Sequence, residues 1–265
     1  MSDAVLLDIA DSIATITLNE PEVRNAFSNP LREGLRNAIA SVENDPAVRC
    51  VVIRGAGDHF QSGGDIRMMQ ERQKMQPDER TQEIMFGVHL LHHHIFAMRR
   101  MGKPVVASVQ GAVAGAGIGL LGACDLAIAA DDAIFTLAYC HIGASPDGGS
   151  TYFLGRTIGM KHLFELAFLG DRFGPDRAKE LGLINWVVPR ADLEAETAKL
   201  AKRLANGPTH AYANAKKLYN QVHHLTMESQ LQMEGELIAD SMTTEDFNEG
   251  VSAFMEKRKA AFKGR

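Results

Sequence analysis

The sequence predicts an α/β fold with a helical C-terminal part, on three observations. Short runs at 50–53, Val105–Val109 and Leu126–Ala130 are apolar throughout and rich in small or β-branched residues. That is the pattern of parallel strands buried on both faces rather than of a half-wet sheet. These runs alternate with helical patterns, which is the order expected of βαβ-type connections. From 192 to 262 the periodicity is helical throughout, broken at Gly207 and Pro208. The predicted organisation is therefore a core over 1–191 followed by a helical region over 192–265.

Each element has its own signal. Residues 5–9 and 12–18 read as two strands joined by the turn Asp11-Ser12, a hairpin. Ser28 or Asn29 is placed to cap a helix with Pro30 in its first turn. Its apolar stripe is Leu31, Leu35, Ala38, Ile39 and Val42, and Asp45-Pro46 ends it. After the strand at 50–53, the glycines at 55, 57, 63 and 64 mark a sharply bent loop, and Asp65 starts a short helix. Residues 70–80 lack apolar periodicity and read as a mobile surface segment. Helices are expected at 84–98, 151–158, 161–169 and 176–181, and further strands at 134–135 and 183–188. Leu120 opens a helix after the small-residue run at 111–119.

Composition sets the limits. The chain has 265 residues, 45% hydrophobic and 23% charged, with a net charge of -5. These are values of an ordinary soluble globular protein, and the acidic balance argues against nucleic acid as a partner. The three cysteines are scattered and form no C-x-x-C pair, so they read as thiols in a reducing compartment. The N-terminal stretch is acidic and lacks a basic leader, and no apolar run reaches membrane-spanning length. The expected setting is cytoplasmic, with no membrane partner and no metal site.

The stretch from Lys103 to Gly119, KPVVASVQGAVAGAGIG, is the chemical centre of the chain. A buried strand feeds a passage in which side chains almost vanish, so backbone N–H groups can be approached closely. Leading into a helix N-terminus, such a passage suits a phosphate, a carboxylate or an oxyanion. Close packing of strand on helix is the plainer alternative. Gly117, Gly119 and Gly122 also spell G-x-G-x-x-G, but the motif does not directly follow the strand and lacks the acidic partner of a dinucleotide site. The loop before Asp65 is a second small-residue passage from strand to helix. Two such loops are the minimum for a two-donor oxyanion hole.

At the level of whole segments the chain resembles the crotonase (enoyl-CoA hydratase/isomerase) superfamily. The resemblance is carried by LNEPEVRNAFS at 18–28, VVIRGAGDHFQSGGDI at 51–66, KPVVASVQGAVAGAGIGLLGACDLAIA at 103–129, PDGGSTYFLGRTIG at 146–159 and EGVSAFMEKRKAAF at 249–262. It implies a crotonase-like ββα superhelix with a helical C-terminal trimerisation region. It also implies an acyl-CoA thioester substrate, assembly as a homotrimer or hexamer, and no cofactor beyond the coenzyme A of the substrate. By position the family's two oxyanion donors fall on the backbone N–H groups of Gly64 and Ala116. Its coenzyme A contacts fall around Arg24, Ala26, Phe27, Ser62, Asp65 and Ile66, with Phe254 and Lys257 reaching coenzyme A, on a neighbouring subunit in the assembled form.

The two glutamates that hydratases of this family use fall on Gly119 and Tyr139, so both carboxylates are missing. Hydration needs a base for water and an acid for the α-carbon. The replacement is Asp147, in AYCHIGASPDGGST, a stretch similar to that of the aspartate-type isomerases of phenylacetyl-CoA degradation. A turn aspartate bonding its own backbone or capping the next helix is the alternative for Asp147. In the family's 4-chlorobenzoyl-CoA dehalogenase the same position is a nucleophile. The histidine of that enzyme falls on His92, and its tryptophan on Tyr139. The expected activity is double-bond isomerisation of an unsaturated acyl-CoA with Asp147 as acid and base and Tyr139 lining the acyl pocket. Hydration by a modified mechanism, a dehalogenase-like hydrolysis and a non-catalytic binding module are the alternatives.

Overall fold

In a computed structural model that describes residues 4–265, a six-stranded sheet forms the centre. The hairpin is β1 (Val5–Ala10) and β2 (Ile13–Leu18), antiparallel, with Asp11 and Ser12 both at positive φ in the turn. β3 (Cys50–Gly55), β4 (Val105–Val109), β6 (Leu126–Ala130) and β8 (Trp186–Val188) continue parallel to β2 in that order. A separate two-stranded parallel ribbon joins β5 (Ala112–Ala114) to β7 (Ile134–Thr136).

The central strands read as continuous apolar runs because both faces are covered. Val51, Ile53, Val105 and Ala107 point into the main core with Leu31, Leu35 and Ile39 of α1 (Asn29–Glu43). Cys50, Val52 and Val106 point the other way, against Ala201 and Ala205 of α8 (Leu193–Ala205). Ser28 caps α1 as its chemistry predicts, its Oγ accepting the Leu31 N–H at 3.1 Å. Leading off the sheet are α2 (Ile66–Arg72), capped by Asp65, α3 (Pro77–Arg100) and α4 (Ala116–Ala123). Then come α5 (Ser150–Thr157), α6 (Met160–Leu169) and α7 (Pro175–Glu180). After α8 the chain forms α9 (Thr209–Gln221), α10 (Met227–Met242) and α11 (Glu245–Met255).

Two expectations are corrected. The segment 70–80 is not a structureless surface stretch: α2 runs to Arg72 and α3 already begins at Pro77, with Asp78 and Glu79 in its first turn. The outer residues of this part of α3 are exposed, so no apolar stripe marks it. The helix after the glycine run begins at Ala116, not Leu120. Gly117 and Gly119 are poor helix formers by propensity, but tertiary packing on both decides the matter.

β3 and β4 pair from Val51↔Val105 to Arg54↔Ser108, so their C-terminal ends leave the sheet side by side. The two glycine-rich loops that follow are thereby delivered to one place. The last segment docks elsewhere. Arg49, just before β3, donates to the carbonyl of Phe262 at 3.1 Å and to Thr209 Oγ1 at 3.0 Å, at the opposite end of the strands. No helix among the described residues is long and apolar enough to cross a membrane.

Candidate active site

Three loops build the site. The first, after β3, is held by amide side chains. Asn25, fully buried, donates through Nδ2 to the carbonyls of Ala56 and His59 at 3.0 and 2.7 Å. Gln61 clamps Gly63 on both sides. Its Oε1 accepts the Gly63 N–H at 2.7 Å and its Nε2 donates to the Gly63 carbonyl at 3.1 Å. Gly63 is thereby fixed at φ +93°, a backbone that L residues avoid. The Phe27 N–H donates to the Gly63 carbonyl from the other side at 2.8 Å. What the clamp leaves free is the next N–H, that of Gly64, which donates to no acceptor among the described residues.

The second loop joins β4 to α4. Gln61 N donates to the Ala112 carbonyl and Ala114 N to the Gln61 carbonyl, so the two loops are knitted together. Gly115 at φ +51°, ψ −122° turns the chain so that Ala116 opens α4. Its N–H, like that of Gly64, has no acceptor among the described residues. The Ala116 nitrogen lies 3.6 Å from where a Cβ on Gly63 would sit. The two donors that the resemblance implied are thus neighbours, at a helix N-terminus whose partial positive charge adds to them. Met69 of α2 covers Gly64, its Cε occupying the place a side chain at 64 would take.

The third loop carries Asp147. Gly148 and Gly149, at φ +60° and +80°, wrap the turn against α4. A Cβ on Gly148 would lie 3.2 Å from that of Ala116. The Asp147 backbone carbonyl accepts from Ser150 N and Oγ at 3.1 and 2.8 Å, but its carboxylate caps nothing. Among the described residues the side chain takes one hydrogen bond, 2.6 Å from the Tyr139 hydroxyl to Oδ1. The carboxylate therefore makes neither of the bonds that a turn aspartate would make, to its own backbone or to the start of the next helix, and bonds Tyr139 instead. Burial pushes the Tyr139 phenol up, and the Asp147 charge reinforces the shift, so Tyr139 is a donor here and not a base.

Gly119 accounts for one missing glutamate. A Cβ there would run into the carbonyl oxygen of Gly148, and Ser150 N would be 3.2 Å away. The loop that brings Asp147 in occupies the space that any side chain at 119 needs. Tyr139 occupies the other position, with its Cζ 3.7 Å from the Cβ site of Gly115.

The remaining predicted residues divide. Arg24 and Ser62 adjoin, with Ser62 N donating to the Arg24 carbonyl and Ser62 Oγ to the Val23 carbonyl, while Ala26 is buried. Ile66, the first residue of α2, is exposed. Phe27 is 0% exposed. Its ring belongs to the core, and it serves the loop through its backbone alone. Asp65 is committed to structure: it caps α2 and takes Arg67 through both oxygens, at 3.1 and 2.8 Å. That pairing holds its carboxyl below the usual range. His92, half-buried on α3, lies against the rings of His89 and Phe96. The histidine that α3 turns inward is His94. Phe254, 82% exposed, and Lys257 do not join this site within the chain, because their segment docks at the other end of the sheet. Sequence reasoning missed Gln61 and Asn25, whose roles depend on long-range contacts that no local pattern announces. No group of three potential metal-ligating side chains occurs among the described residues.

A family model described as enoyl-CoA hydratase/isomerase matches residues 8–265. The chain is 34% identical over 261 residues to trans-2-decenoyl-[acyl-carrier-protein] isomerase of Streptococcus mutans, covering 98% of both chains. It is 32% identical over 267 residues to 1,2-epoxyphenylacetyl-CoA isomerase of Escherichia coli, covering 100% of both. A crystal structure of an enoyl-CoA hydratase from Polaromonas sp. superposes with a TM-score of 0.91 at 32% identity, covering 98% of this chain and 99% of that one.

Proposed function

The chain belongs to the enoyl-CoA hydratase/isomerase family of acyl-CoA enzymes, and from that premise we propose that it moves the double bond of an unsaturated acyl-CoA, with Asp147 as the single acid and base. The observation that carries this reading is the place of Asp147. Its carboxylate takes the Tyr139 hydroxyl in a loop whose next residue, Gly148, packs on Ala116, while both glutamate positions of the hydratases are filled by Gly119 and Tyr139.

The thioester carbonyl of a 3-enoyl-CoA accepts from Gly64 N and Ala116 N. Asp147 Oδ2 removes a proton from C2, and the electron pair is delocalised as a dienolate whose oxygen carries the charge. Each fixed donor to such an oxyanion contributes about 3 kcal/mol to the transition state. The protonated carboxyl then returns the proton at C4, leaving a 2-enoyl-CoA and the original carboxylate. One carboxylate suffices because the same proton leaves and returns. Tyr139 holds Oδ1, which leaves Oδ2 to carry the proton. Two relatives whose names end in isomerase support the reading.

Assembly belongs to the same proposal. Val251, Phe254 and Met255 are exposed on α11, a large apolar surface for a solitary chain. A trimer or hexamer would cover it and bring Phe254 and Lys257 to the coenzyme A of a neighbouring site.

The experiment follows 3-hexenoyl-CoA and crotonyl-CoA with wild-type protein and with Asp147→Asn, resolving products by chromatography. Isomerisation is expected to outrun hydration, and Asp147→Asn to lower turnover by at least about 10³-fold while still binding the thioester. An active Asn variant, or a wild type that hydrates crotonyl-CoA and isomerises nothing, overturns the reading.

A further inference from the structure

Behind Asp147 lies a charged group that the proton shift does not use. Arg32, on α1, is only 9% exposed, and its Nε and Nη1 are buried without a hydrogen-bond partner among the described residues. His94 beside it is 0% exposed, and both ring nitrogens are likewise unpartnered. Buried polar groups are paired in the great majority of cases, and here four nitrogens of one cluster are not.

A second guanidinium shares the cluster. Arg72 reaches the same space: a Cβ on Gly87 would lie 2.7 Å from Arg32 Nη1 and 3.5 Å from Arg72 Nη2. The one carboxylate paired in this cluster is Glu83, which meets Arg72 at 3.5 Å. Asp147 and Asp65 act on Arg32 electrostatically, but their carboxylates are bonded to Tyr139 and Arg67. Arg32 thus has carboxylates within electrostatic reach, yet its Nε and Nη1 meet no acceptor among the described residues.

The position of this charge relative to the reacting atoms follows from α3. Gly87 and Leu91 are successive residues on its buried face. Leu91 packs on the Asp147 loop, with its Cδ2 3.0 Å from the Cβ site of Gly148. Arg32 packs over Gly87, one turn further on. Arg32 therefore lies one turn of α3 from the residue that packs on the Asp147 loop, close enough for the Asp147 charge to act on it.

We propose that Arg32, with Arg72 behind it, is the receptor for a second carboxylate at the far end of the acyl chain, so that the substrates are monothioesters of dicarboxylic acids. A guanidinium presents its donors as a planar fork that matches a carboxylate. One such group supplies the missing hydrogen-bond acceptors of Arg32. The proposal rests on the acyl-thioester reading above, but not on isomerisation.

Calorimetric titration with unreactive saturated thioesters tests it. Glutaryl-, adipyl- and suberyl-CoA are compared with pentanoyl-, hexanoyl- and octanoyl-CoA, on the wild type and on Arg32→Met. At one chain length or more, the dicarboxylyl thioester is expected to bind the wild type at least about tenfold more tightly than its monoacyl partner. Arg32→Met should abolish that preference. Equal or weaker binding of the dicarboxylyl thioesters at all three lengths overturns the proposal, and so does a preference that survives in Arg32→Met. The wild-type comparison decides even if the variant does not fold. Because no turnover is measured, loss of the isomerase reading through Asp147→Asn leaves this result standing, and the reverse holds as well.

Discussion

The phenol of Tyr139 donates a 2.6 Å hydrogen bond to Oδ1 of Asp147. It ties the residue at one missing glutamate position to the residue that takes over the chemistry. Hydrogen bonds to charged groups contribute about 1.5–3 kcal/mol, here spent on orienting the carboxylate. Tyr139→Phe keeps the ring against Gly115 and removes the donor. Turnover of a 3-enoyl-CoA should fall by about ten- to a hundredfold, with KM little changed, because the hydroxyl orients the base and does not bind the thioester. Steady-state kinetics at neutral pH check this, and an unchanged kcat would remove Tyr139 from the machinery.

The contact between Gly119 and the carbonyl of Gly148 explains why simply restoring a hydratase side chain should fail. Gly119→Ala forces a methyl into backbone, which costs about 1–3 kcal/mol by overpacking. In a chain of this length that lowers Tm by roughly 2–4 °C per kcal/mol. The loop that yields is the one carrying Asp147, so turnover should fall as well. Gly119→Glu should lose isomerisation without gaining hydration. A thermal melt and a crotonyl-CoA hydration assay on both variants are the measurements. A stable Gly119→Glu enzyme that hydrates would show that the loop and the glutamate are compatible.

Much of this was legible in the sequence, in proportion to how local its cause is. Val105–Val109 was bounded correctly because a strand buried on both faces is one uninterrupted apolar run. The Ser28 cap is a contact between near neighbours. The two strand-to-helix loops announced themselves through glycine. The start of α4 was misplaced because its first turn is glycine-rich, and what holds it helical is contact with Gln61 and with the Gly148 loop. Arg32 sits next to the apolar stripe of α1 and reads as a solvated position, yet α3 covers it by presenting Gly87. In the histidine run, residues 87, 91, 94 and 98 share the buried face, which puts His94 inside and His92 to the side.

The two backbone donors can be separated from stability at Ala116. It is the first residue of α4, where proline is tolerated and no helical hydrogen bond is lost. Ala116→Pro removes the N–H and leaves the helix in place. The expected loss in kcat/KM is about 10²–10³-fold, the value of one oxyanion donor, with Tm nearly unchanged. Circular dichroism melts beside kinetics make the comparison. If the folded variant keeps full turnover, the oxyanion lies elsewhere.

His94 makes stability depend on pH in a stated direction. Burial, followed by the charges of His93 and Arg32, lowers its pKa from the usual 6.5 to about 4. The nearby backbone of Arg32 favours the charged form and offsets only part of this shift. In the folded protein the ring stays neutral down to about pH 4, whereas in the unfolded chain it takes a proton near pH 6.5. Between these values the unfolded state binds more protons, so stability rises with pH. The contribution is complete above pH 6.5 and is lost as pH falls toward 4, by on the order of 3 kcal/mol. His94→Leu has no proton to take up. Carboxylates titrate in both proteins, so the difference between the two denaturation curves isolates the histidine. That difference should be constant above about pH 7.5 and shift in favour of the variant as pH falls to 4. Parallel curves across this range would show that His94 titrates alike in the folded and unfolded states.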